Sequence, residues 1–403
     1  MFAKTAETKV LRDPVHGYIH IEDEMIWELL DTAWFQRLRR IRQLGGAPMV
    51  YHCAEHSRFG HSLGVYEIVR RMVREVPDIR DALSEKEKLT VMAAGLLHDL
   101  GHGPFSHAFE SITHTSHEDV TCRIITKDPE IKGILNGTYR GMAKDVADVI
   151  RHKSENPLLP QLISSQLDAD RMDYLLRDAY FTGTAYGEYD LDRILRTLRV
   201  KDGQLMVKQS GVYAVENYIM ARYHMYWQIY YHPTARAYEC LLQSLFQRLR
   251  DLGDSSDPHI MKEFIPLIEK RKLTIEEYFL LDEFACSYGF ALLREHPDAV
   301  VKDLASRILD RRLFKYDDND PAIVRKVKRK LQAEGYDPKY YLAKDEVRQR
   351  PYVPYNGQAG SVFVLMKDGS VRELSNASNI VYSLIHGPVK DEKKIFFPED
   401  ERQ

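Results

Sequence analysis

A stretch of titratable residues, GLLHDLGHGPFSHAFE at positions 95–110, is the part of this chain best suited to chemistry. Three histidines and two acids fall within it, interrupted by Gly101, Gly103 and Pro104. Imidazole nitrogens and carboxylate oxygens together suit divalent transition metals, and imidazole is also the side chain that exchanges protons near neutral pH. The stretch therefore indicates a metal centre or an acid–base site.

The adjacent pair His98 and Asp99 follows an apolar segment, LTVMAAGLL, typical of a buried helix. Ser84, with Glu87 three residues later, is a capping-box pattern that marks where this helix begins. Neighbouring helix positions differ by about 100°, so both side chains can reach one side of a cleft at the helix end. His98 could simply favour the helix dipole there, but the charge of Asp99 is unfavourable at a C-terminus. The pair predicts metal ligands once further ligands join it.

Two other stretches can supply those ligands. SRFGHSLG places His61 near the start of an amphipathic helix. In SSQLDADRMDYLLRD, Asp170 and Asp173 lie one turn apart, so they share a face among apolar residues. Carboxylates on such a face are costly to bury without a cation. The alternative is a solvated face, on which Arg171 and Arg177 serve as salt-bridge partners.

The spacing HDLGH has histidines four apart, as in the HExxH motif of zinc proteases. That motif needs a glutamate as general base inside an unbroken helix. Here Gly101, Gly103 and Pro104 interrupt the helix around the second histidine, so we set this alternative aside.

The elements that must position these residues are mostly helical. Apolar periodicity predicts helices over 23–44, 61–76, 84–100, 117–126, 143–152, 159–180, 190–199, 212–231 and 234–252. Strand signals are sparse until the end, where 361–374 reads as a hairpin around a DG turn, and 204–209 is a candidate hairpin arm. Residues 348–360 read as a loop. We predict a catalytic domain over residues 1–255 and, over 256–403, a helical extension with a small β-hairpin region.

Composition excludes several classes of protein. The 403 residues, 44% hydrophobic and 29% charged, are typical of a globular chain, and the net charge of −3 argues against nucleic acid as the main partner. The four cysteines lie far apart without a CxxC pair, which predicts reduced thiols in a cytoplasmic protein. The N-terminal residues lack the apolar core of a signal peptide, and no apolar window of about 18 residues predicts a membrane span.

In chain order, RFGHSLG (58–64), HDLGHGPFSH (98–107) and DADRMDYLLRD (168–178) resemble the H…HD…D pattern of the HD-domain phosphohydrolase superfamily. Four further strings narrow the resemblance to its deoxynucleoside triphosphate triphosphohydrolases: KVLRDPVHGYI (9–19), LLDTAWFQRLRRIRQLGG (29–46), ARYHMYWQIYYH (221–232) and RRLFKY (311–316). The resemblance implies a mainly α fold, with an HD-domain helical core, a C-terminal helical extension and a small mixed α/β region. It also implies hydrolysis of deoxynucleoside triphosphates (dNTPs) at the α-phosphate, which yields deoxynucleoside and inorganic triphosphate.

Carried over residue by residue, the resemblance implies that a divalent metal is bound by His61, His98, Asp99 and Asp170. The metal could be Mn, Fe, Zn, Ni or Mg, since a mixed nitrogen and oxygen site with open positions accepts any of them. His107 is expected beside the scissile phosphate as general acid or as assistant to the nucleophile, with Glu110 to orient it. The further catalytic residues are expected to be His102, His117 and Glu118, the last as a partner of His117.

Substrate residues are implied in the same way. The residues expected to bind the triphosphate are Arg58, Arg171, Arg222 and Tyr174. Gln43 and Asp178 are expected at the 3′-hydroxyl of the sugar, and Leu44 and Tyr230 beside its C2′. An apolar and aromatic wall at C2′ leaves an added 2′-hydroxyl crowded or unpaired, which favours deoxyribose. Without the resemblance, the aromatic run YHMYWQIYY would be ordinary helix packing.

An activating nucleotide, GTP or a dNTP, is also implied between subunits. Its expected contacts are Lys9, Val10, Asp31, Gln36, Arg39, Arg311, Leu313 and Lys315. Such a site predicts a homo-oligomer, with a tetramer as the expected state. Two alternatives remain open: an HD phosphohydrolase for another nucleotide (a ribonucleotide, a monophosphate or guanosine tetraphosphate), and a nucleotide-binding scaffold with a silent HD site.

Overall fold

The structure is a computed structural model that describes residues 2–349, 352, 361–387 and 390–399, without the side chains of His107, Arg348, Gln349 and Lys390. Its α-helices are α1 (Glu24–Asp31), α2 (Ala33–Arg37), α3 (Arg58–Glu75), α4 (Pro77–Ala82), α5 (Glu85–Leu97), α6 (His107–Thr113), α7 (His117–Lys127), α8 (Pro129–Thr138), α9 (Met142–Ile150), α10 (Leu158–Ile163), α11 (Ala169–Thr182), α12 (Leu191–Thr197), α13 (Val212–Met225), α14 (Pro233–Leu252), α15 (Ile265–Ile268), α16 (Ile275–Leu280), α17 (Glu283–Leu293), α18 (Ala299–Leu309), α19 (Pro321–Ala333), α20 (Pro338–Tyr341), α21 (Leu374–Ala377) and α22 (Asn379–His386). A π-helical turn, Tyr226–Tyr230, follows α13. Within the described ranges, no helix has the length and apolarity that crossing a bilayer requires. The predicted mainly α fold class is confirmed.

The strands are β1 (Lys4–Asp13), β2 (Gly17–Asp23), β3 (Leu198–Lys201), β4 (Gln204–Lys208), β5 (Lys315–Asp318), β6 (Ala343–Gln349), β7 (Phe363–Leu365), β8 (Val371–Glu373) and β9 (Lys390–Phe397). They form an antiparallel hairpin β1-β2, a four-stranded sheet in the order β3-β4-β7-β8, and a three-stranded sheet in the order β5-β9-β6. Strands β7 and β8 confirm the hairpin around the DG turn, and β4 confirms the hairpin arm. All four cysteines are free, as predicted.

Three features of the secondary structure differ from the sequence prediction. The sequence does not predict strands β1 and β2, because β1 is largely exposed and lacks apolar alternation. In the structure β1 pairs with β2, whose Ile19 and Ile21 are fully buried. The helix predicted over 23–44 is interrupted at Thr32, whose extended backbone ends α1 and whose hydroxyl caps α2. The helix predicted over 159–180 divides at Asp168, which caps α11 by accepting the N–H of Arg171 at 2.7 Å.

Helix α5 lies at the centre of the domain, buried along its length from Leu89 to Leu97, and packs against α3. Glycines allow these helices to approach closely. A Cβ on Gly95 of α5 would lie 3.0 Å from a methyl carbon of Val69 on α3. A Cβ on Gly64 of α3 would lie 1.8 Å from a carboxylate oxygen of α11, which packs on the other side. The first turns of α3 and α11 therefore meet the last turn of α5.

Candidate metal centre and nucleotide cavity

Four predicted ligands converge where these three helices meet. His61 is in the first turn of α3, His98 and Asp99 directly follow α5, and Asp170 is in the first turn of α11. Ligand atoms of His61, His98 and Asp99 lie within 4.8 Å of one another. The Asp170 Oδ1 is 3.1 Å from the His61 Nε2 and 3.7 Å from the His98 Nε2. The structure thus brings the four side chains into the spacing of a mixed nitrogen and oxygen metal site.

Both histidines present Nε2 to this cluster. The His61 Nδ1 lies 2.8 Å from the Asp173 carboxylate, and the His98 Nδ1 lies 2.8 Å from the carbonyl oxygen of Gly95. An acceptor at Nδ1 holds the ring proton there and leaves the Nε2 lone pair for a metal. The His98 Nε2 is buried and has no hydrogen-bond partner among the described residues. A cation bound at this nitrogen would supply the partner that its lone pair lacks.

The electrostatics of the cluster favour added positive charge. Burial opposes protonation of His61, but the hydrogen bonds to Asp170 and Asp173 outweigh it and raise the His61 pKa to about 10. Burial likewise opposes ionisation of Asp99, but the neighbouring charges of His98 and Arg58 hold the Asp99 pKa well below its usual range. Ionised carboxylates concentrated in a buried space are stable only beside a cation. The donor set therefore fits a divalent metal ion.

The chain reverses direction immediately after α5, at Gly101. A Cβ on Gly101 would lie 2.2 Å from the carbonyl oxygen of His117 and 2.4 Å from the backbone nitrogen of Thr121, so α7 packs directly on this turn. The Thr121 hydroxyl accepts the Gly101 N–H at 2.8 Å and donates to the His98 carbonyl at 3.0 Å. The close approach carries the next part of the chain back towards the metal cluster.

The end of the same turn has an unfavourable backbone conformation. Phe105 and Ser106 have φ values of 61° and 51°, in the left-handed region that non-glycine residues seldom adopt. The Ser106 hydroxyl accepts from the Arg58 guanidinium at 2.8 Å, and the Phe105 N–H donates to the buried Glu283 at 3.0 Å. Surrounding contacts therefore hold the backbone in this conformation at the edge of the site, as is typical of functional loops.

Two further histidines lie beside the cluster. The rings of His102 and His117 stack with centroids 3.9 Å apart, and the His102 Nε2 is 3.4 Å from an Asp99 oxygen. Burial, reinforced by the charge of Arg58, lowers the His102 pKa well below its usual value, so this ring is neutral. The His117 Nδ1 lies 2.7 Å from Glu110. Both histidines are thus placed to exchange protons next to the metal ligands.

The partners of these histidines differ in part from the prediction. Glu110, expected behind His107, contacts His117 and also accepts its backbone N–H at 2.8 Å. Glu118 is exposed, and its predicted pairing with His117 stays a prediction. The side chain of His107 lies outside the described residues, so its role stays a prediction.

A cavity of about 400 Å³ opens beside the metal cluster and is lined by Asp99, Asp170, His102 and His117. Seven of the eight residues predicted to bind substrate also line it: Gln43, Leu44, Arg58, Arg171, Tyr174, Asp178 and Tyr230. Two of the predicted metal ligands, Asp99 and Asp170, thus share one cavity with these seven residues.

The sugar-binding residues form a connected group on the cavity wall. The Tyr230 hydroxyl donates to one Asp178 oxygen at 2.8 Å, and the His56 Nε2 lies 2.7 Å from the other. Burial raises the pKa of Tyr230, so the hydroxyl stays protonated. The Gln43 Oε1 is buried and has no hydrogen-bond partner within the described ranges. A buried acceptor without a hydrogen-bond partner is suited to accept a hydrogen bond from a hydroxyl group of a ligand.

Arginines supply the positive charge of the cavity. Arg58 binds Asp99, and Arg171 binds Asp168, a carboxylate with no exposed surface. The eighth predicted residue, Arg222, is not among the described residues that line the cavity, and it donates to the Gln166 side chain at 2.8 Å.

The predicted activator residues lie on surface segments outside this cavity. Lys9 and Val10 are on β1, Asp31 ends α1, Gln36 and Arg39 belong to α2 and the turn after it, and Arg311, Leu313 and Lys315 lead into β5. The Arg39 Nε donates to the Gln36 Oε1 at 2.8 Å, and the Arg311 guanidinium donates to the Met49 carbonyl. The single chain brings Gln36 and Arg39 together, and their binding role stays a prediction.

Several residues of the site had no role in the sequence prediction. His16 lies 2.6 Å from Asp173, which also accepts from Arg177, so a buried network supports His61 from behind. Arg236 and Glu239 line the cavity from α14. His16 falls within the string DPVHGYI, which carries part of the resemblance, and this was the available signal for it. Arg236 and Glu239 lie on an amphipathic helix with no distinguishing motif.

Comparison with known proteins agrees with this geometry. The HD domain family model matches residues 58–178, and the HD associated region model matches residues 189–318. The uncharacterized protein YwfO of Bacillus subtilis is 44% identical, over 98% of this chain and 94% of its own length. A deoxynucleoside triphosphate triphosphohydrolase, the SAMHD1 homolog of Dictyostelium discoideum, is 30% identical over 68% of this chain and 56% of its own.

A solved structure covers nearly the whole fold. It is a phosphohydrolase from Bacteroides thetaiotaomicron with a TM-score of 0.86 and 28% identity, which covers 98% of this chain and 100% of its own. The matched HD domain contains the four converging metal-ligand candidates, and the associated region contributes Tyr230, Arg236 and Glu239 to the cavity. The chain therefore belongs to the HD-domain phosphohydrolases that carry an HD-associated region.

Proposed function

We propose that this protein hydrolyses deoxynucleoside triphosphates at the α-phosphate, with deoxynucleoside and inorganic triphosphate as products. The observation that carries the proposal is the cavity itself. One space of about 400 Å³ joins Asp99 and Asp170 to the arginines suited to phosphates and to the Gln43, Asp178 and Tyr230 group suited to a sugar. A triphosphate needs several cationic donors, and a deoxyribose needs a hydrogen-bonding site with a closed C2′ side.

In this proposal His61, His98, Asp99 and Asp170 hold a divalent ion. When bound, such an ion polarises the phosphoryl oxygen and lowers the pKa of water. The Nδ1 contacts of His61 and His98 keep the Nε2 atoms available for it. Deprotonated carboxylates at Asp99 and Asp170 balance its charge.

The remaining side chains bind, orient and transfer protons. A water oxygen bonds to the α-phosphorus, the bond from phosphorus to the 5′-oxygen breaks, and the 5′-oxygen takes a proton. Neutral His102 and the His117–Glu110 pair are suited to moving protons beside the phosphate. Arg58, Arg171 and Arg222 bind the triphosphate, and Tyr230 closes the C2′ side. We assign the general acid to His107, as the resemblance implies.

The direct test is triphosphate release from each of the four dNTPs with added Mn²⁺. Each reaction is run with and without GTP or a second dNTP, because a nucleotide activator belongs to the proposal. Release of triphosphate and deoxynucleoside in equal amounts is expected. The proposal fails if no dNTP releases triphosphate under either condition. Hydrolysis of GTP in preference to dGTP would point instead to a ribonucleotide phosphohydrolase.

A variant separates an active HD site from a silent one. Asp99→Ala should lose both bound metal and hydrolysis, since it removes a ligand in contact with the cluster. Asp148→Ala, at an exposed ion pair with Lys144, is the matched control and should retain both. If Asp99→Ala keeps its metal content and its hydrolysis, the catalytic proposal is wrong.

Several wider features belong to the same proposal. The catalytic domain spans residues 1–255, and residues 256–403 form the extension. An activating nucleotide binds at the surface residues named above, between subunits of a cytoplasmic homotetramer. Size-exclusion chromatography with and without GTP tests this, and a monomer in both conditions would contradict it.

A further inference from the structure

A buried aspartate outside the nucleotide cavity holds one of the arginines that line it. Arg171 is in the first turn of α11 and lines the cavity. Asp168, which caps this helix, has no exposed surface and is not among the described residues that line the cavity. The Arg171 Nη1 donates both to the Asp168 carboxylate and to the carbonyl oxygen of Ser165. The Arg171 guanidinium is therefore anchored from outside the cavity.

The two oxygens of the Asp168 carboxylate have separate partners. Oδ1 accepts the backbone N–H of Arg171 at 2.7 Å, which caps α11. Oδ2 accepts the N–H of Ser165 at 2.5 Å and also the Arg171 Nη1. The Ser165 hydroxyl in turn accepts the N–H of Leu167 at 3.2 Å, so residues 165–168 form a closed turn. The turn fixes the oxygens that face Arg171, and a charge-assisted hydrogen bond to fixed oxygens orients the guanidinium.

Arg171 needs such an anchor because it lies between two cavities. Besides the nucleotide cavity, it lines a second one of about 730 Å³, whose other lining residues include Ser164, Gln166 and Gln204. A long side chain with polar space on two sides keeps one orientation only if a contact outweighs its rotamer entropy. The contact with Asp168 therefore decides which cavity receives the Arg171 charge.

The anchor leaves hydrogen-bond donors of Arg171 for a ligand. A guanidinium has five N–H donors, and the contacts to Asp168 and Ser165 both use Nη1. The Arg171 Nε is buried and has no hydrogen-bond partner in the described part of the chain. A guanidinium held through one nitrogen still presents the others to a phosphate oxygen.

We infer that Asp168 is a positioning residue, which holds the Arg171 guanidinium towards the triphosphate of a bound nucleotide. The inference rests on the proposed function, in which Arg171 binds the triphosphate. Because Asp168 does not line the cavity, it acts through Arg171 and not by contact with the ligand.

The test is a double-mutant cycle of Asp168→Asn and Arg171→Ala. The asparagine Oδ1 can still cap α11, but its amino group replaces the oxygen that accepts from Arg171, so the anchor is lost. The KM for dNTPs and the Kd for inorganic triphosphate should rise about 10- to 100-fold, the usual value of a hydrogen bond to a charged group. The kcat should change less than KM, since ground-state binding is lost. In Arg171→Ala, the added Asp168→Asn should change KM and Kd less than about twofold, because the side chain that Asp168 positions is gone.

The matched control is Asp190→Asn, at an exposed aspartate that caps α12 by accepting the N–H of Arg193 at 2.8 Å. It should leave KM and Kd unchanged. Asp168→Ser is the second variant, because serine can cap α11 but is too short to reach the guanidinium. It should match Asp168→Asn, and it replaces that variant if asparagine prevents folding. Circular dichroism checks the fold, and a metal titration checks that Asp170, two residues further on, is undisturbed.

Binding of inorganic triphosphate is measured by calorimetry with metal chelated, so it does not depend on hydrolysis. A wild type that binds triphosphate but hydrolyses no dNTP refutes only the proposed function, and weaker binding by Asp168→Asn then still supports the inference. Equal losses from Asp168→Asn with and without Arg171 would overturn the inference, because Asp168 would then act through the fold. So would unchanged binding by folded Asp168→Asn, a parallel loss of metal affinity, or a wild type that binds no triphosphate.

Discussion

At the scale of single residues, Asp173 shows how much one buried carboxylate can organise. It has no exposed surface and contacts His61 on one side, His16 on another and Arg177 on a third. The Arg177 charge and the histidine contacts overcome the cost of burial and hold the Asp173 pKa well below its usual range. The ionised carboxylate then keeps the His61 proton on Nδ1. Asp173 is thus a positioning residue for a metal ligand rather than a ligand itself.

We expect Asp173→Asn to lower metal affinity about 10- to 100-fold, because it weakens the acceptor at the His61 Nδ1. The measurement is a metal titration against a chelator on protein whose folding is checked by circular dichroism. Asp192→Asn, at an exposed ion pair with Arg71, should bind metal as the wild type does. Unchanged affinity in folded Asp173→Asn would contradict the role of the carboxylate.

Tyr230 offers a second prediction at this scale. Tyr230→Ala removes the ring expected beside C2′, so the ratio of kcat/KM for dGTP over GTP should fall about tenfold or more. Tyr230→Phe keeps the ring and removes only the hydrogen bond to Asp178, so it should retain most of the sugar preference. Steady-state kinetics with dGTP and GTP on both variants measures this ratio. If both variants lose the preference equally, the hydroxyl rather than the ring excludes the ribose.

At the scale of elements, the geometry of the site depends on the turn between α5 and α6. Helix α5 is buried along nearly its whole length, so its end is held rigidly in place. The turn then fits against α7 with no room for a side chain at Gly101. His102 and His117 come to stack because of this fit, although one lies in the turn and the other on α7.

We expect Gly101→Ala to reduce the free energy of unfolding by about 1 to 3 kcal/mol, the usual cost of overpacking. Gly133→Ala is the matched control, because Gly133 is exposed in α8 and its added Cβ would meet nothing within 4 Å. That control should stabilise the protein by about 0.5 to 1 kcal/mol, as alanine is the better helix former. Urea unfolding measures both. Equal effects of the two changes would show that the turn tolerates a side chain.

At the scale of the whole molecule, the C-terminal half supports the site built by the N-terminal half. Glu283 of α17 accepts the N–H of Phe105 at 3.0 Å and that of Arg42 at 2.8 Å. Burial raises the Glu283 pKa to about 7, against the two backbone hydrogen bonds, which lower it. One buried acid thus joins the left-handed turn of the site to the segment that carries Gln43.

This arrangement predicts a pH dependence of stability. A carboxyl group with a pKa raised on folding favours the native state while protonated, so its contribution is present below about pH 4.5 and is lost as pH rises through 7. The change in the Glu283 pKa from 4.5 to about 7 corresponds to a loss of up to about 3 kcal/mol in the free energy of unfolding. Urea unfolding between pH 5 and pH 8 should show this loss in the wild type. Glu283→Gln should lack this component, and the surface variant Glu28→Gln should follow the wild type.

Local patterns made part of the site predictable from the sequence. The capping box at Ser84 and Glu87 is present as expected, so the start of α5 could be predicted, and an apolar helix that ends in His98–Asp99 indicated ligands at its end. The turn glycines of the 95–110 stretch and the DG hairpin are likewise short-range features. Such signals depend on neighbours in the chain, which fix backbone conformation with little help from distant residues.

The sequence by itself therefore determined the residue types of the metal cluster and the helix that presents them. Only the tertiary structure decided which ring nitrogen of His61 faces the cluster, that Glu110 contacts His117, and that Asp345 reaches Arg236 beside the cavity. These contacts join residues on different elements, and their geometry depends on how the helices pack. Packing is set by the summed burial of many apolar side chains, which no local pattern encodes.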